Sequence, residues 1–283
     1  MITMQCLFVS DLHGHIKKYK RLFDYISEYK PDAVFFGGDL LPMIAENGAD
    51  MSTFIKEILL QPIKKIKQNQ KKVQFFLVLG NDDPRLYEPI FQQAEKDHLI
   101  SYVHQKTVSF TDFFVTGYSF VPPTPFQLKD WERYDVSRFV DVGAVSPENG
   151  MRSVPVNEKT IRFETIKKDL DRLVENAPVN KTIFLFHSPP YNSLLDRADL
   201  DGKKFYHAPL DVHIGSIAIK RFITKYQPFI TLHGHVHESS QITGEWKQVF
   251  NQTVSFSAAY TEDKLAIIIF NTDEPKKATR KLI

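Results

Sequence analysis

The chain reads as an α/β fold of two packed sheets flanked by helices, and three observations lead there. Short apolar runs alternate with stretches of helical periodicity in both halves of the sequence, the pattern of parallel strands joined by right-handed crossovers. Five of those runs end in Asp, His or Asn, often beside a glycine that lets the backbone turn. At 283 residues, 42% hydrophobic and 25% charged, the chain has the size for a full core and an ordinary globular composition. We expect one domain over residues 1–283, with a ligand-bearing edge where the strands end, because ligands in α/β sheets gather beyond the carboxyl ends of strands.

The first run, Cys6-Leu7-Phe8-Val9, leads into Asp11-Leu12-His13-Gly14. Ile16, Tyr19, Leu22, Phe23, Ile26 and Tyr29 then recur at helical spacing, and Pro31 ends that helix. The second run, Ala33 to Phe36, leads into Gly38-Asp39. Phe54, Ile55, Ile58, Leu59, Ile63 and Ile66 mark a second helix, with a kink expected at Pro62. Its lysine-rich end, Lys64 to Lys72, reads as a solvated helix terminus rather than a nucleic-acid patch. The third run, Val73 to Leu79, leads into Gly80-Asn81-Asp82-Asp83.

The pattern weakens after residue 84. Val108 to Tyr118 holds one or two short strands, Phe113 to Tyr118 being the clearer. Pro122 to Pro155 is rich in proline, charge and aromatics without a period. A long irregular loop inside a compact domain is uncommon unless it caps a site, so an insertion over about 119–160 is expected to form a rim. Ile166, Leu170, Leu173, Val174 and Ala177 give a helix before the run Thr182 to Phe186, which leads into His187-Ser188-Pro189-Pro190. A polar loop follows, with Asp196 and Asp211 to Ser216 in it. The helix marked by Ile217, Ala218, Phe222, Ile223 and Tyr226 offers N–H groups for an anion at its start, although Ser216 by itself reads as an N-cap. Phe229 to Leu232 then runs into His233-Gly234-His235-Val236-His237. Thr253–Ser257 and Leu265–Phe270 read as closing strands, and the charged tail from Pro275 to Lys281 is expected to fray.

Imidazole is the commonest side-chain metal ligand. A lone His-x-His is more often a pair of polar loop residues, but here four other strand ends offer ligand chemistry as well. The ordered set Asp-x-His, Gly-Asp, Gly-Asn-x-Asp, His, Gly-His-x-His resembles the calcineurin-like metallophosphoesterases, over Asp11 to His237. The resemblance implies a dinuclear site at the strand C-terminal edge: Asp11, His13 and His237 on one ion, Asn81, His187 and His235 on the other, Asp39 bridging. It implies hydrolysis of phosphate esters, phosphodiesters above all, by attack of a metal-bridging hydroxide. A nitrogen and oxygen donor set without thiolate suits Mn, Fe or Zn more than Mg or Ca.

One position departs from the family pattern. Many members carry a proton-donating His after Gly-Asn, where this chain has Asp82. A catalytic role and a plain turn aspartate stand side by side for that residue. His15 and His213, each flanking a site loop, are the candidate replacements, an ordinary loop histidine being the plainer reading of either. Asp83 is expected to orient a neighbour by hydrogen bonds, His233 to stand beside the ligands, and His98, His104 and His207 carry no assignment.

The partner implied is a small phosphate ester. Two other classes compete: a catalytically weak metal-binding scaffold for protein interactions, against which all seven ligand positions are filled, and a DNA nuclease, against which the formal net charge is only +2. No apolar stretch is long enough to span a bilayer. The single cysteine, Cys6, reads as a small buried hydrophobe. With no leader apparent, a cytoplasmic location is expected.

Overall fold

The structure, a computed structural model, describes residues 3–42, 50–175, 178–261 and 263–283. Strand β1 (Gln5–Val9) leads through a tight loop to helix α1 (Ile16–Tyr29), followed by β2 (Ala33–Gly37). Helix α2 (Met51–Phe54) runs through a π-helical stretch (Ile55–Leu60) into α3 (Gln61–Asn69), then comes β3 (Gln74–Val78). Helix α4 (Glu88–Lys96) precedes β4 (Ser101–Tyr102), β5 (Thr107–Phe110) and β6 (Phe113–Tyr118). After a long irregular segment come α5 (Glu158–Phe163), α6 (Ile166–Leu173) and β7 (Thr182–Phe186). A small hairpin, β8 (Lys204–Phe205) and β9 (Ala208–Pro209), stands before α7 (Ile217–Tyr226) and β10 (Ile230–His233). The chain closes with α8 (Ser239–Thr243), β11 (Lys247–Phe250), β12 (Thr253–Ser257), β13 (Ala266–Asn271) and β14 (Thr279–Leu282).

Two six-stranded sheets result, ordered β14-β13-β1-β2-β3-β4 and β11-β12-β10-β7-β6-β5. In the first, β1 to β4 are parallel and β13 and β14 antiparallel; in the second, β6, β7, β10 and β12 are parallel and the outer strands antiparallel. Side chains alternate across each strand, so each sheet has two apolar faces. Cys6, Phe8, Phe35 and Phe76 of the first sheet meet Val115, Ile183, Leu185, Leu232 and Phe256 of the second in one buried layer. The opposite faces, with Leu7, Val9, Val34 and Leu77 on one side and Phe184 and Phe186 on the other, carry the helices. Each such fully buried side chain stabilises the fold by about 1.5–3 kcal/mol. The expected α/β sandwich is what the chain forms, and Cys6 is fully buried as expected.

Three expectations need correction or refinement. The tail does not fray: Thr279–Leu282 pairs with β13 in register, Ile268 opposite Arg280. Main-chain hydrogen bonds to a sheet edge need no apolar side chains, and the charged ones lie over aromatic rings, Lys281 Nζ 4.6 Å from the Tyr25 centroid. Pro62 lies inside the continuous helical run from Met51 to Asn69, and the helix departs from α geometry through the π stretch just before it. The start of α7 is already occupied: the Asp135 carboxylate accepts from Ile217 N at 2.6 Å and Ser216 Oγ at 2.6 Å, while Ser216 Oγ accepts from Ile219 N at 3.0 Å. Ala177, expected in the α6 pattern, lies outside the described residues, and α6 ends at Leu173.

The irregular segment between β6 and α5 is tied down despite its lack of regular structure. Trp131 is fully buried, and its indole donates to the Asp83 carbonyl at 2.8 Å. Lys129 Nζ and Glu132 Oε2 form a fully buried ion pair at 2.5 Å. Glu132 also accepts from Thr124 N at 2.8 Å, and Lys129 donates to the Thr124 carbonyl at 2.8 Å. Removing one member of such a pair strands a buried charge. Lys129→Met is therefore expected to destabilise the fold by about 3–5 kcal/mol in urea unfolding, whereas Lys129→Met/Glu132→Leu recovers most of the loss.

Candidate metal centre and the cavity beside it

Five loops bring the candidate ligands to one edge of the sandwich: those after β1, β2 and β3 in the first sheet, and after β7 and β10 in the second. The loops are laced to one another. Asp11 N donates to Gly38 O at 3.0 Å, His13 N to Asp39 O at 2.9 Å, and Gly234 N to His187 O at 2.9 Å. Asp11, His13, Asp39 and His235 all hold left-handed backbone conformations, with φ of 57, 44, 52 and 74°. Such conformations cost of order 1–3 kcal/mol each and persist where the surroundings over-determine them. Two glycines permit the close approach. A Cβ at Gly80 would stand 2.2 Å from Asp39 Oδ1, and one at Gly234 would stand 2.1 Å from Ser10 Oγ.

The side chains converge in two groups with Asp39 common to both: Asp11, His13, Asp39 and His237, and Asp39, His187 and His235. Within each group the ligand atoms lie within 4.8 Å of one another. His13 Nε2 stands 3.0 Å from His237 Nε2, which is 3.2 Å from Asp11 Oδ1. His187 Nε2 is 3.2 Å from Asp39 Oδ2 and 3.0 Å from Asn81 Oδ1. His187 Nδ1 donates to the Gly37 carbonyl at 2.7 Å, which turns Nε2 toward the cluster.

The electrostatics fit cations. Asp11 and Asp39 are each 2% exposed, and their ion pairs among the described residues are with histidines, Asp11 with His237 and Asp39 with His187. Burial pulls the His187 imidazole down, but the Asp39 carboxylate outweighs it and holds the pKa up at about 10. Burial, then the His187 charge, push His235 down to about 3. A divalent ion bound here would take the place of the proton that these carboxylates draw onto His187, leaving imidazole nitrogens and carboxylate oxygens as the donor set.

Around this cluster the remaining sites sort themselves by contact. Asp82 N donates to Asp39 Oδ1 at 2.8 Å, and the Asp82 carboxylate accepts from Asn81 Nδ2 at 2.8 Å with His13 Nδ1 3.6 Å away. Burial and then the Asp39 charge push Asp82 up to about 7; divalent ions held by the cluster would pull it the other way. Asp83 stands behind the ligands, accepting from Leu40 N, Leu41 N and Gly80 N at 2.7–2.9 Å. His233 is buried beneath them, bonded to Ser188 O at 2.9 Å and Thr231 Oγ1 at 2.8 Å. His15 is exposed at the start of α1, where its side chain makes no capping bond. His213 is different: its Nδ1 lies 2.9 Å from Oδ1 of Asp196, a fully buried carboxylate that also accepts from Asn192 N and Ser193 N.

A cavity of about 520 Å³ opens beside the cluster. Asp39, Asn81, Asp82, His235 and His237 line one end; His213 and the stretches 122–126 and 141–144 are in its walls. His15 is not among the lining residues. Asp196 escapes a reading of the sequence because nothing local marks it as the partner of a histidine seventeen positions on.

Comparison with known proteins agrees with this geometry. The calcineurin-like phosphoesterase family matches residues 4–239. An uncharacterized protein of Methanocaldococcus jannaschii is 38% identical over 79 residues, which is 27% of this chain and 31% of that protein's length. Among solved structures, TT1561 of Thermus thermophilus superposes with a TM-score of 0.58 at 13% identity, covering 99% of both chains. A dimetal phosphatase from Danio rerio gives 0.53 at 11% identity, covering 95% of both. At those identities the structures speak for the fold, and the family match, running through every one of the five loops, places this chain in the calcineurin-like phosphoesterase family.

Proposed function

We propose that the chain hydrolyses phosphate esters, phosphodiesters in preference to monoesters, at a dinuclear centre held by Asp11, His13 and His237 on one side and Asn81, His187 and His235 on the other, with Asp39 shared. The observation that carries this reading is the pair of donor groups with Asp39 in common, set at the end of an open cavity. When bound, two divalent ions (Mn, Fe or Zn by the donor set) supply Lewis acidity and a nucleophilic water near neutral pH. The chain's own residues orient that centre. Gly37 O and the Asp82 N–H fix the His187 ring and the Asp39 carboxylate, and Asp11 accepts from His235 N at 3.0 Å.

Asp82 faces the cavity beside the cluster. An ionised carboxylate there repels the dianion of a monoester more than the monoanion of a diester. It is also a poor proton donor to a departing alkoxide. His213 lines the same cavity, and Asp196, bonded at Nδ1, leaves Nε2 to carry a proton away from the protein wall. We assign His213 the proton donor's role that the Asp82 substitution vacates, with Asp196 as its positioning residue. We give His15 no part in it, since it does not line the cavity. Among the described residues no helix is long and apolar enough to cross a membrane.

Asp39→Ala is expected to abolish turnover and to lose at least one ion by metal analysis, because it removes a ligand common to both groups. His237→Ala should weaken mainly the group with Asp11 and His13. Retention of full metal content and turnover in Asp39→Ala would falsify the dinuclear reading.

A leaving-group series on aryl and alkyl diesters tests the proton donor. Wild type should show a shallow dependence on leaving-group basicity. His213→Ala should make it steep, slowing the most basic leaving groups by roughly 10²–10⁴-fold, while His15→Ala changes nothing. Asp82→Asn should relax discrimination against monoesters with metal content intact. A steep dependence in wild type that Asp82→His flattens and His213→Ala leaves alone would remove His213 from the mechanism.

A further inference from the structure

The cavity beside the candidate metals has walls whose chemistry restricts what the phosphoester can be. One part of the lining comes from the irregular segment, with Phe126 and Val142; another comes from the loop and hairpin before α7, with Leu200, Phe205 and Leu210. The two meet at one side, where a Cβ on Gly143 would lie 3.3 Å from Leu210 Cδ2 and 3.7 Å from Phe205 Cβ. Phe126, Val142 and Phe205 remain 57, 45 and 51% exposed. Large apolar side chains gathered at one opening mark a surface that something apolar covers. The volume, about 520 Å³, lies within the roughly 300–1,000 Å³ usual for small-molecule sites.

Charge narrows the class further. The carboxylates of Asp82, Asp141, Asp211 and Glu238 line the cavity, and no lysine or arginine does so among the described residues. Sites that hold several phosphates recruit arginine and lysine for them. A substrate with further phosphates or a nucleic-acid backbone would meet apolar surface and like charge here. A single phosphoryl group at the metal end, with an uncharged apolar group beyond it, meets complementary surface at both ends.

From this we infer that the site takes a monoanionic phosphoester whose organic group is apolar, an aryl or alkyl-chain alcohol seated between the Phe126–Val142 wall and the Leu200–Phe205–Leu210 wall. The inference rests on the phosphoesterase reading of the metal end, but the walls can be tested without turnover. It disfavours the nuclease alternative on the shape and charge of the pocket rather than on the net charge of the chain.

The test is calorimetric binding of n-alkyl(methyl)phosphinates, methyl through octyl, monoanions with only P–C bonds and so no ester to hydrolyse, to Mn²⁺-loaded protein. The dissociation constant should fall roughly two- to four-fold per methylene until the cavity is filled, the upper figure being full transfer of each CH₂ from water. Phe126→Ser/Val142→Ser should cut that slope by about half, in line with loss of one wall. Phenyl- and naphthyl(methyl)phosphinates separate the two sources. Tighter binding than alkyl analogues of equal area indicates an aryl alcohol, and a ladder still descending at octyl indicates an acyl or alkyl chain. A flat ladder in wild type overturns the proposal, as does tighter binding of a nucleoside 3′,5′-bisphosphate than of the butyl ligand. Should the ladder hold while no diester is turned over, the phosphoesterase reading fails and the apolar pocket stands.

Discussion

Two carboxylates withdrawn from water, Asp11 and Asp39, are the constraint that the rest of this edge answers to. An ionised carboxylate in a low-dielectric site demands either positive charge or several donors. Here both are provided, but by groups that need help to reach it. Backbone N–H groups arrive from Asp82 and His235 on other loops, and imidazoles from His187 and His237. The donors come from three strand ends and the two carboxylates from two more, so the charge on two side chains holds five loops and both sheets in one arrangement.

That arrangement explains why so much strained backbone is concentrated in a few residues. A left-handed conformation at Asp11 and Asp39 comes just past the end of each strand, at the residue whose carboxylate joins the cluster. Asp83, accepting from the first residues after Asp39 and from Gly80, stops those loops from relaxing. Trp131 then links this inner scaffold to the irregular segment through the Asp83 carbonyl, so the metal end and one apolar wall of the cavity share a support. The buried Lys129–Glu132 pair belongs to the same support, which gives an otherwise costly ion pair a structural context.

How much of this is legible in the sequence depends on what kind of signal each part leaves. The sandwich and the convergence of the seven candidate ligands leave strong ones: apolar runs interrupted by Asp, His or Asn at the strand ends have no packing reason to look that way. The strand Thr279–Leu282 leaves none, because its contribution is main-chain pairing, its middle residues are charged and none of its side chains is buried. Asp196 and His213 meet only through a loop whose course no local periodicity records. The cavity walls are illegible for a similar reason, since Phe126 and Leu210 line one pocket from stretches far apart in sequence. His104, unassigned from sequence, belongs to an aromatic cluster with Phe120 and Trp131.

The pairing of β1 with β13 has a consequence for how this chain is made. Gln5 is opposite Asn271 in that ladder, and Phe8 opposite Ile268. During synthesis the strand that carries Asp11 into place emerges well before its outer neighbour. Until then β1 is an open edge of a growing parallel sheet, a surface prone to pair with another chain. The closing contact spans the greatest sequence separation in the sheet, so it belongs to the slow, late part of folding. A truncation that stops short of β13 would thus retain every candidate ligand while leaving the first ligand-bearing strand unsealed, and would be expected to aggregate rather than to act.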